Sequence, residues 1–371
     1  MAEIISLHSP IDVHAHLREP GTNNSETIAS GTKAAQAGGY QAVFDMPNNP
    51  GRPTHTIDRL AEKMGIAART SYVDIGFYAG IDLANPDVDN LPRMIGRAAG
   101  LKLYMGKTTG NQHVHTLEDA RESIDTWIEN ADAQGLHAPI LVHAEGDIGA
   151  ETIDYIASRG HHAHWCHLSS TEEAYHAHKL TRQYPEHFTA EVTPHHLTMT
   201  DINAEQLGWP GGRMMPSLKN EVDRDALQWA FAHGDIAIVG TDHAPHSMEQ
   251  KINAENHNPH GHTDDGCVTC FGVSGLEFAL PILMRQVMLG RFTLERLEDA
   301  LYTQPLRMLG INESNMPAIT TLEIGARRIE KDELVGGSEN TPYINMIAGA
   351  KVLGMTGVHR PRVYMGQLRA A

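Results

Sequence analysis

Short apolar runs that end in polar residues recur along the chain, and stretches with helical spacing separate them. Eight such runs stand out: Ile11–His16, Ala42–Met46, Val73–Ala79, Gly100–Met105, Pro139–His143, Ala163–Leu168, Phe188–Val192 and Ile236–Thr241. Runs this short, bounded by polar or turn residues, read as buried strands. Between them, 25–38, 56–68, 91–99, 116–134, 148–158, 171–182 and 221–233 place apolar residues at helical intervals. Ser170-Thr171-Glu172-Glu173, before an alanine-bearing run, has the form of a helix cap with acids in the first turn. Eight β-α steps predict an α/β fold, a (β/α)8 TIM barrel over 11–319. Past the eighth run, Ser247–Cys270 is polar and reads as a long functional loop, and helical patterns resume over 271–288 and 293–309. From about Thr320 the character changes: Ile324–Ile329, Thr341–Ile347 and Ala350–Met355 predict short strands, a reduced β appendage over 320–371.

The polar residues that close these runs carry the chemistry. His14, His16, Asn48, Lys102, His143, His167, His195 and Asp242 all fall at or just past predicted strand ends, which is where catalytic groups of such barrels sit. His14 and His16 are two apart on a strand, so they project to one face. Neutral imidazole is the commonest metal ligand, and a His-x-His strand is a pincer for one ion. With His143, His167 and Asp242 there are five candidate ligands, enough for two divalent ions that share a bridging group. Lys102, in the β-prone run 100–105, is a candidate bridge: burial favours the neutral amine, and a neutral amine can add carbon dioxide to give a carbamate. A lysine that snorkels to the surface is the alternative. Arg18 follows the pincer with a planar fork suited to a carboxylate.

Composition narrows the partners. The net charge is −17, from 29 basic and 46 acidic residues, which argues against nucleic acid or an anionic membrane as a main partner and leaves room for a small anionic substrate. Three cysteines are too few for a disulfide framework and suit a reducing, cytoplasmic setting. Cys267-Val268-Thr269-Cys270 is a single C-x-x-C in a polar stretch and reads as loop. Residues 1–10 carry no basic n-region, and no stretch has the length of a membrane span. Many of the 24 histidines, among them His161, His162, His176 and His178, lie in polar runs and read as surface. Gly106-Lys107-Thr108 lacks the first glycine of a phosphate loop and is not read as one.

His14-Ala15-His16-Leu17-Arg18-Glu19-Pro20-Gly21 resembles the signature of the dihydroorotases, in the amidohydrolase superfamily of metal-dependent cyclic amidohydrolases. Asp45-Met46-Pro47-Asn48-Asn49, Lys102-Leu103-Tyr104, His143-Ala144-Glu145, Cys166-His167-Leu168-Ser169, Thr193-Pro194-His195-His196-Leu197 and Thr241-Asp242-His243-Ala244-Pro245-His246 resemble further motifs of that family, in order. The resemblance implies two Zn2+ ions bridged by an N6-carboxylated Lys102. His14, His16 and Asp242 then hold one zinc, and His143 and His167 the other. It implies Asp242 as the proton carrier and Arg18, Asn48 and His246 as the grip on a substrate carboxylate. The implied reaction is reversible closure of N-carbamoyl-L-aspartate to L-dihydroorotate, in a homodimer, with a transcarbamoylase as a possible partner. Three departures stand out. Family members usually carry an arm before the first barrel strand, which joins C-terminal strands in a small β-sandwich; here the first predicted strand starts at Ile11, so the appendage is expected from 320–371 alone. Met215 stands where close relatives carry an asparagine, which leaves a hydantoin- or allantoin-type ring as an alternative substrate. Thr108 and Thr109 resemble the substrate loop of a different branch and are left unassigned. A non-catalytic scaffold for a transcarbamoylase is the reading from another class; it is expected to have lost metal ligands, and this chain keeps all six candidates.

Overall fold

The computed structural model describes residues 2–22, 25–109, 113–208, 211–257 and 270–364. After a first strand, β1 (Glu3–His8), come β2 (Ile11–Ala15), β3 (Ala42–Asp45), β4 (Asp74–Phe77), β5 (Ala79–Gly80), β6 (Leu101–Tyr104), β7 (Ile140–His143), β8 (Ala163–Trp165), β9 (Phe188–Val192) and β10 (Ile238–Val239). β2, β3 and β4 pair in parallel, and so do β5 through β10 in sequence order. β4 and β5 are one barrel strand that changes partner at Tyr78: the Tyr78 amide donates to Asp45 O (3.1 Å) and the next amide to Gly100 O (2.9 Å). The ring closes where Ala15 bridges His243 in parallel and the His16 amide donates to His243 O (2.7 Å). All eight predicted runs are therefore barrel strands.

Every residue of β2 through β10 is buried, which explains why most of the runs are rich in apolar residues on both faces; the polar residues within them, such as His14, Glu191 and Lys102, face the barrel interior and its mouth. Helices cover the outside. The helix Thr171–Gln183 starts at the expected cap, with the Ser170 side chain accepting from the Glu173 amide. The helix Gly146–Ser158 approaches β8 so closely that a Cβ on Gly149 would lie 2.4 Å from the Trp165 ring. Two buried tryptophans satisfy their indole N–H on backbone: Trp127 on Ala138 O and Trp165 on Ala144 O, both 2.9 Å.

Some expectations give way to local chemistry. The helix predicted over 91–99 is one turn, Leu91–Met94, because Gly96 at φ +77° takes the chain out of helical space. The pattern over 271–288 is helical only at Ala279–Met288. The long polar loop begins as a helix, Met248–His257; its continuation, including Cys267, lies outside the described residues. Among the described residues two strands, not three, follow the barrel: β11 (Ile319–Arg328) and β12 (Ile347–Thr356). The run at 341–346 is a turn that buries Tyr343 and sets Asn345 at φ +68°, so its alternation comes from one buried ring in a turn. The appendage is also larger at its other end than expected. β1 pairs antiparallel with β11, from Glu3 against Ile324 to His8 against Ile319, and β11 pairs with β12. The short segment ahead of Ile11 thus supplies a strand of this three-stranded sheet. Leu7, Leu322 and Ala350 belong to the same core as the barrel. Among the described residues no helix is long and apolar enough to cross a membrane.

Candidate metal centre and substrate pocket

The C-terminal ends of the strands bring four imidazoles into one file. His16 and His14 have ring centroids 5.3 Å apart, His14 and His167 5.2 Å, and His167 and His143 4.6 Å. Asp242, just past β10, faces the first pair: its Oδ1 is 3.1 Å from His16 Nε2 and 3.4 Å from His14 Nε2. At the other end, His143 Nδ1 and His167 Nε2 stand 2.8 Å apart. All five side chains are buried. Each of three rings has its other nitrogen occupied: His14 Nδ1 on Glu191 Oε1, His16 Nδ1 on Asn48 Oδ1 at 2.6 Å and His143 Nε2 on Lys107 O at 3.1 Å. Holding one nitrogen fixes the tautomer and aims the other inward, the arrangement found around metal-bound histidines. Burial pushes His16 and His167 well below the usual imidazole range, and it pushes His143 to about 3 with Lys102 adding to the effect. His16, His143 and His167 are therefore neutral, the form that binds a metal. His14, His16 and Asp242 bring ligand atoms within 4.8 Å of one another, and this nitrogen and carboxylate donor set suits zinc.

Lys102 is where the sequence put it, on β6, fully buried beneath the imidazoles. Its Nζ lies 2.8 Å from Cys166 Sγ and 5.4 Å from the centre of the Tyr104 ring, so the snorkelling alternative does not apply. Burial lifts the Cys166 thiol to about 12, which keeps it neutral beside the amine. Burial also raises Asp242 above the ordinary carboxylate range, while His14 facing it pulls in the opposite direction. Three site residues hold left-handed backbone: Arg18 at φ +62°, His167 at +36° and Asp242 at +44°. Each such residue costs of order 1–3 kcal/mol, and such residues cluster at functional sites.

Arg18 is buried beside this file. Its Nη2 donates to His246 Nε2 (3.1 Å), and its Nε and Nη1 have no partner among the described residues. Burial, with Arg18 alongside, depresses His246, so His246 accepts as a neutral ring. Asn48 lines the same pocket. Both ends of its amide are engaged, Oδ1 with His16 Nδ1 and Nδ2 donating to Thr109 O (3.2 Å), so in this structure it orients His16. The pocket over the imidazoles is completed by Tyr104, Thr108, Thr109, Met215, Ala244 and Phe271. Thr109 ties the loop after β6 to Phe271, since its Oγ1 accepts from the Phe271 amide (3.1 Å). His195 is buried apart from the ligands, with Nδ1 3.4 Å from the Tyr343 hydroxyl.

Sequence reading missed Glu191, His164 and His162. His161 and His162, read as surface, are buried. A signal was present: His162 and His164, and Thr189 and Glu191, repeat polar side chains two apart within apolar strands, which puts each pair on one face.

The described chain matches the amidohydrolase family model over residues 9–301. It is 34% identical to the multifunctional protein CAD of Squalus acanthias over 310 residues, 83% of this chain but 13% of that protein. It is 28% identical to the dihydroorotase of Staphylococcus epidermidis over 386 aligned positions, 93% of this chain and 83% of that enzyme. Among solved structures, the L-hydantoinase of Arthrobacter aurescens superposes with a TM-score of 0.77 at 18% identity, covering 98% of this chain and 88% of that one. That last likeness bears on the fold.

Proposed function

The chain belongs to the amidohydrolase family, and from that premise we propose that it is a dihydroorotase, interconverting L-dihydroorotate and N-carbamoyl-L-aspartate in pyrimidine synthesis. The observation that carries this reading is the Arg18 guanidinium. It is buried within the same pocket as the imidazole file and keeps two of its three guanidinium nitrogens without a protein partner among the described residues. A buried, half-unsatisfied cation is expensive, and an anionic group on the substrate satisfies it. The ring of dihydroorotate bears such a carboxylate, and simple hydantoins do not.

In this reading His14, His16 and Asp242 would hold one zinc, and His143 and His167 a second, with a carboxylated Lys102 supplying anionic oxygens to the site. Bound there, zinc polarises a carbonyl and ionises water near neutral pH. The chain's own residues do the rest. Arg18, backed by His246, grips the substrate carboxylate and sets the ring in register. Asn48 keeps His16 in orientation. In the hydrolytic direction the Asp242 carboxylate takes the proton of the attacking water and delivers it to the ring nitrogen as the C–N bond breaks. Closure runs the same steps in reverse. Tyr104, Phe271 and Met215 shed water from the ring.

Met215 supports a second reading, hydrolysis of another cyclic amide, because a thioether cannot offer the amide hydrogen bonds that close relatives place there. The kinship with a CAD protein supports association with a transcarbamoylase, and the resemblance supports a homodimer. The deciding experiment is turnover by the zinc-loaded protein, with L-dihydroorotate and N-carbamoyl-L-aspartate supplied separately, beside dihydrouracil and hydantoin, and with Asp242→Ala as control. Turnover of the first pair in both directions, lost in the control, is the expected result. Turnover of the uncarboxylated rings alone would transfer the assignment to the second reading. Labelling with 13C-bicarbonate tests Lys102: a carbamate carbon signal is expected in the wild type and absent in Lys102→Met.

A further inference from the structure

Behind His14, away from the pocket, a line of buried hydrogen bonds runs down the inside of the barrel. Glu191 Oε1 meets His14 Nδ1 and also accepts from the His167 amide (3.1 Å). Glu191 Oε2 lies 3.1 Å from His164 Nε2. His164 Nδ1 lies 2.8 Å from Thr189 Oγ1, and Thr189 Oγ1 lies 3.0 Å from His162 Nε2. His164 and Thr189 are directly paired across β8 and β9, so the register of the sheet holds the line in place. Thr189 and His162 then open on a cavity of about 310 Å³ at the opposite mouth of the barrel.

The carboxylate sets the direction at the end nearest His14. An ionised carboxylate only accepts, so His14 Nδ1 and His164 Nε2 both donate to Glu191. His164, donating through Nε2, has its Nδ1 held at the Thr189 hydroxyl, and His162 Nε2 meets the same oxygen. Each ring in the line is held by its neighbour. A second, independent feature shows that space was left for this line: a Cβ on Gly240 would sit 2.5 Å from Glu191 Oε2 and 3.0 Å from His14 Cβ. The glycine at the end of β10 is what admits the carboxylate behind His14.

We propose that Thr189 and His164 are positioning residues for the metal centre, fixing the tautomer and aim of His14 through Glu191, so that the affinity for the metal at His14 is set partly from the far end of the barrel. This rests on the two-zinc reading of the site. Outer partners of metal-bound histidines typically change metal affinity by roughly 10–100-fold, and a hydroxyl two bonds further out belongs at the lower end of that range.

The test uses three substitutions at one position. Thr189→Val keeps shape and loses the hydroxyl, Thr189→Ala loses both, and Thr189→Ser keeps the hydroxyl. Zinc affinity is read by competition with a chromophoric chelator, and folding is checked by circular dichroism. The expected result is zinc binding weakened about tenfold in the valine and alanine variants and near wild type in the serine variant, so that affinity follows the hydroxyl and not the volume. Ring 15N shifts of the metal-free protein provide the second measurement: His164 is expected to hold the Nε2–H tautomer in the wild type and Thr189→Ser, and a mixture in Thr189→Val. Equal zinc affinity in all variants, or a serine variant as weak as valine, overturns the proposal. If the wild type binds no zinc, the two-zinc reading fails first, and an unchanged His164 tautomer in Thr189→Val overturns the inference on its own.

Discussion

Replacing Lys63 by methionine would expose how the substrate clamp is held. Lys63 is on the helix Ile57–Thr70 and is fully buried against Asp45 at the end of β3, with Nζ 2.7 Å from Asp45 Oδ2. Nζ also donates to Met46 O (2.9 Å) and Asn49 Oδ1 (2.7 Å). The other Asp45 oxygen accepts from the Leu17 amide (2.8 Å), one residue before the left-handed Arg18. Burial raises Asp45, against the pull of Lys63, and burial lowers Lys63, against the pull of Asp45. The pair is thus no net gain over two hydrated ions; its product is the position of Leu17 and Arg18. Breaking such a pair on one side leaves a buried charge and costs about 3–5 kcal/mol, and Lys63→Met preserves the volume of the stem, so the charge dominates. The variant's Asp45 then has a folded-state pKa far above its unfolded value near 4. The folded protein holds a proton that the unfolded chain does not, so stability rises as pH falls, by up to about 1.4 kcal/mol per unit. Urea unfolding of wild type and variant at pH 7 and pH 5 reads both effects. We expect a deficit of about 3–5 kcal/mol at pH 7 that shrinks by up to about 2.7 kcal/mol at pH 5. A deficit below about 1 kcal/mol at pH 7, or one equal at both pH values, would refute this account of the pair.

Three further outcomes are expected. Gly240→Ala forces Glu191 and His14 apart and should cost about 1–3 kcal/mol by thermal unfolding, with zinc affinity falling in parallel. Arg18→Gln removes charge-assisted bonds to the substrate carboxylate, worth about 1.5–3 kcal/mol; kcat/KM for dihydroorotate should fall at least about tenfold while any activity on dihydrouracil stays within about a factor of two. His243 and Glu26 form a buried pair at 2.7 Å. Burial alone would lower His243 and raise Glu26, but each outweighs that on the other, so His243 is raised and Glu26 lowered. The Glu26 share of stability is present above the unfolded value near 4.5 and lost as pH falls through the lower folded one. The His243 share is present below the unfolded value near 6.5 and lost as pH rises through the higher folded one. Glu26→Gln should therefore cost most between about pH 4.5 and 6.5, measured by denaturant midpoints across that range.

What the sequence made legible was whatever is local or periodic. The eight strands show because a strand buried on both faces is mostly apolar, and the five imidazole and carboxylate positions show because they end those runs. Lys102 is legible as the one charge inside its run. What depends on the pairing of distant segments was not. Glu191 reads as an ordinary acid in a strand until the barrel closes, when it proves to lie behind His14. Asn48 reads as a free amide until the loop after β6 brings Thr109 O to it. Lys63 looks like one more helix-surface lysine, and only the fold turns it inward onto Asp45. Glu3–His8 does not stand out as a strand by itself, since its pattern makes sense only opposite β11.

That last pairing has a consequence for how the protein is made. β1 leaves the ribosome ahead of every barrel strand, yet its partner β11 lies beyond residue 318. β2 waits as well, because its closing neighbour is the segment at 241–243. Contacts this distant in sequence are slow to form, and until they do the nascent chain shows an open strand edge next to its finished middle. The sheet of the appendage is therefore finished only after the barrel strands have all been made. Chaperone dependence during synthesis, and aggregation when the last fifth of the chain is cut away, are what that order of events entails.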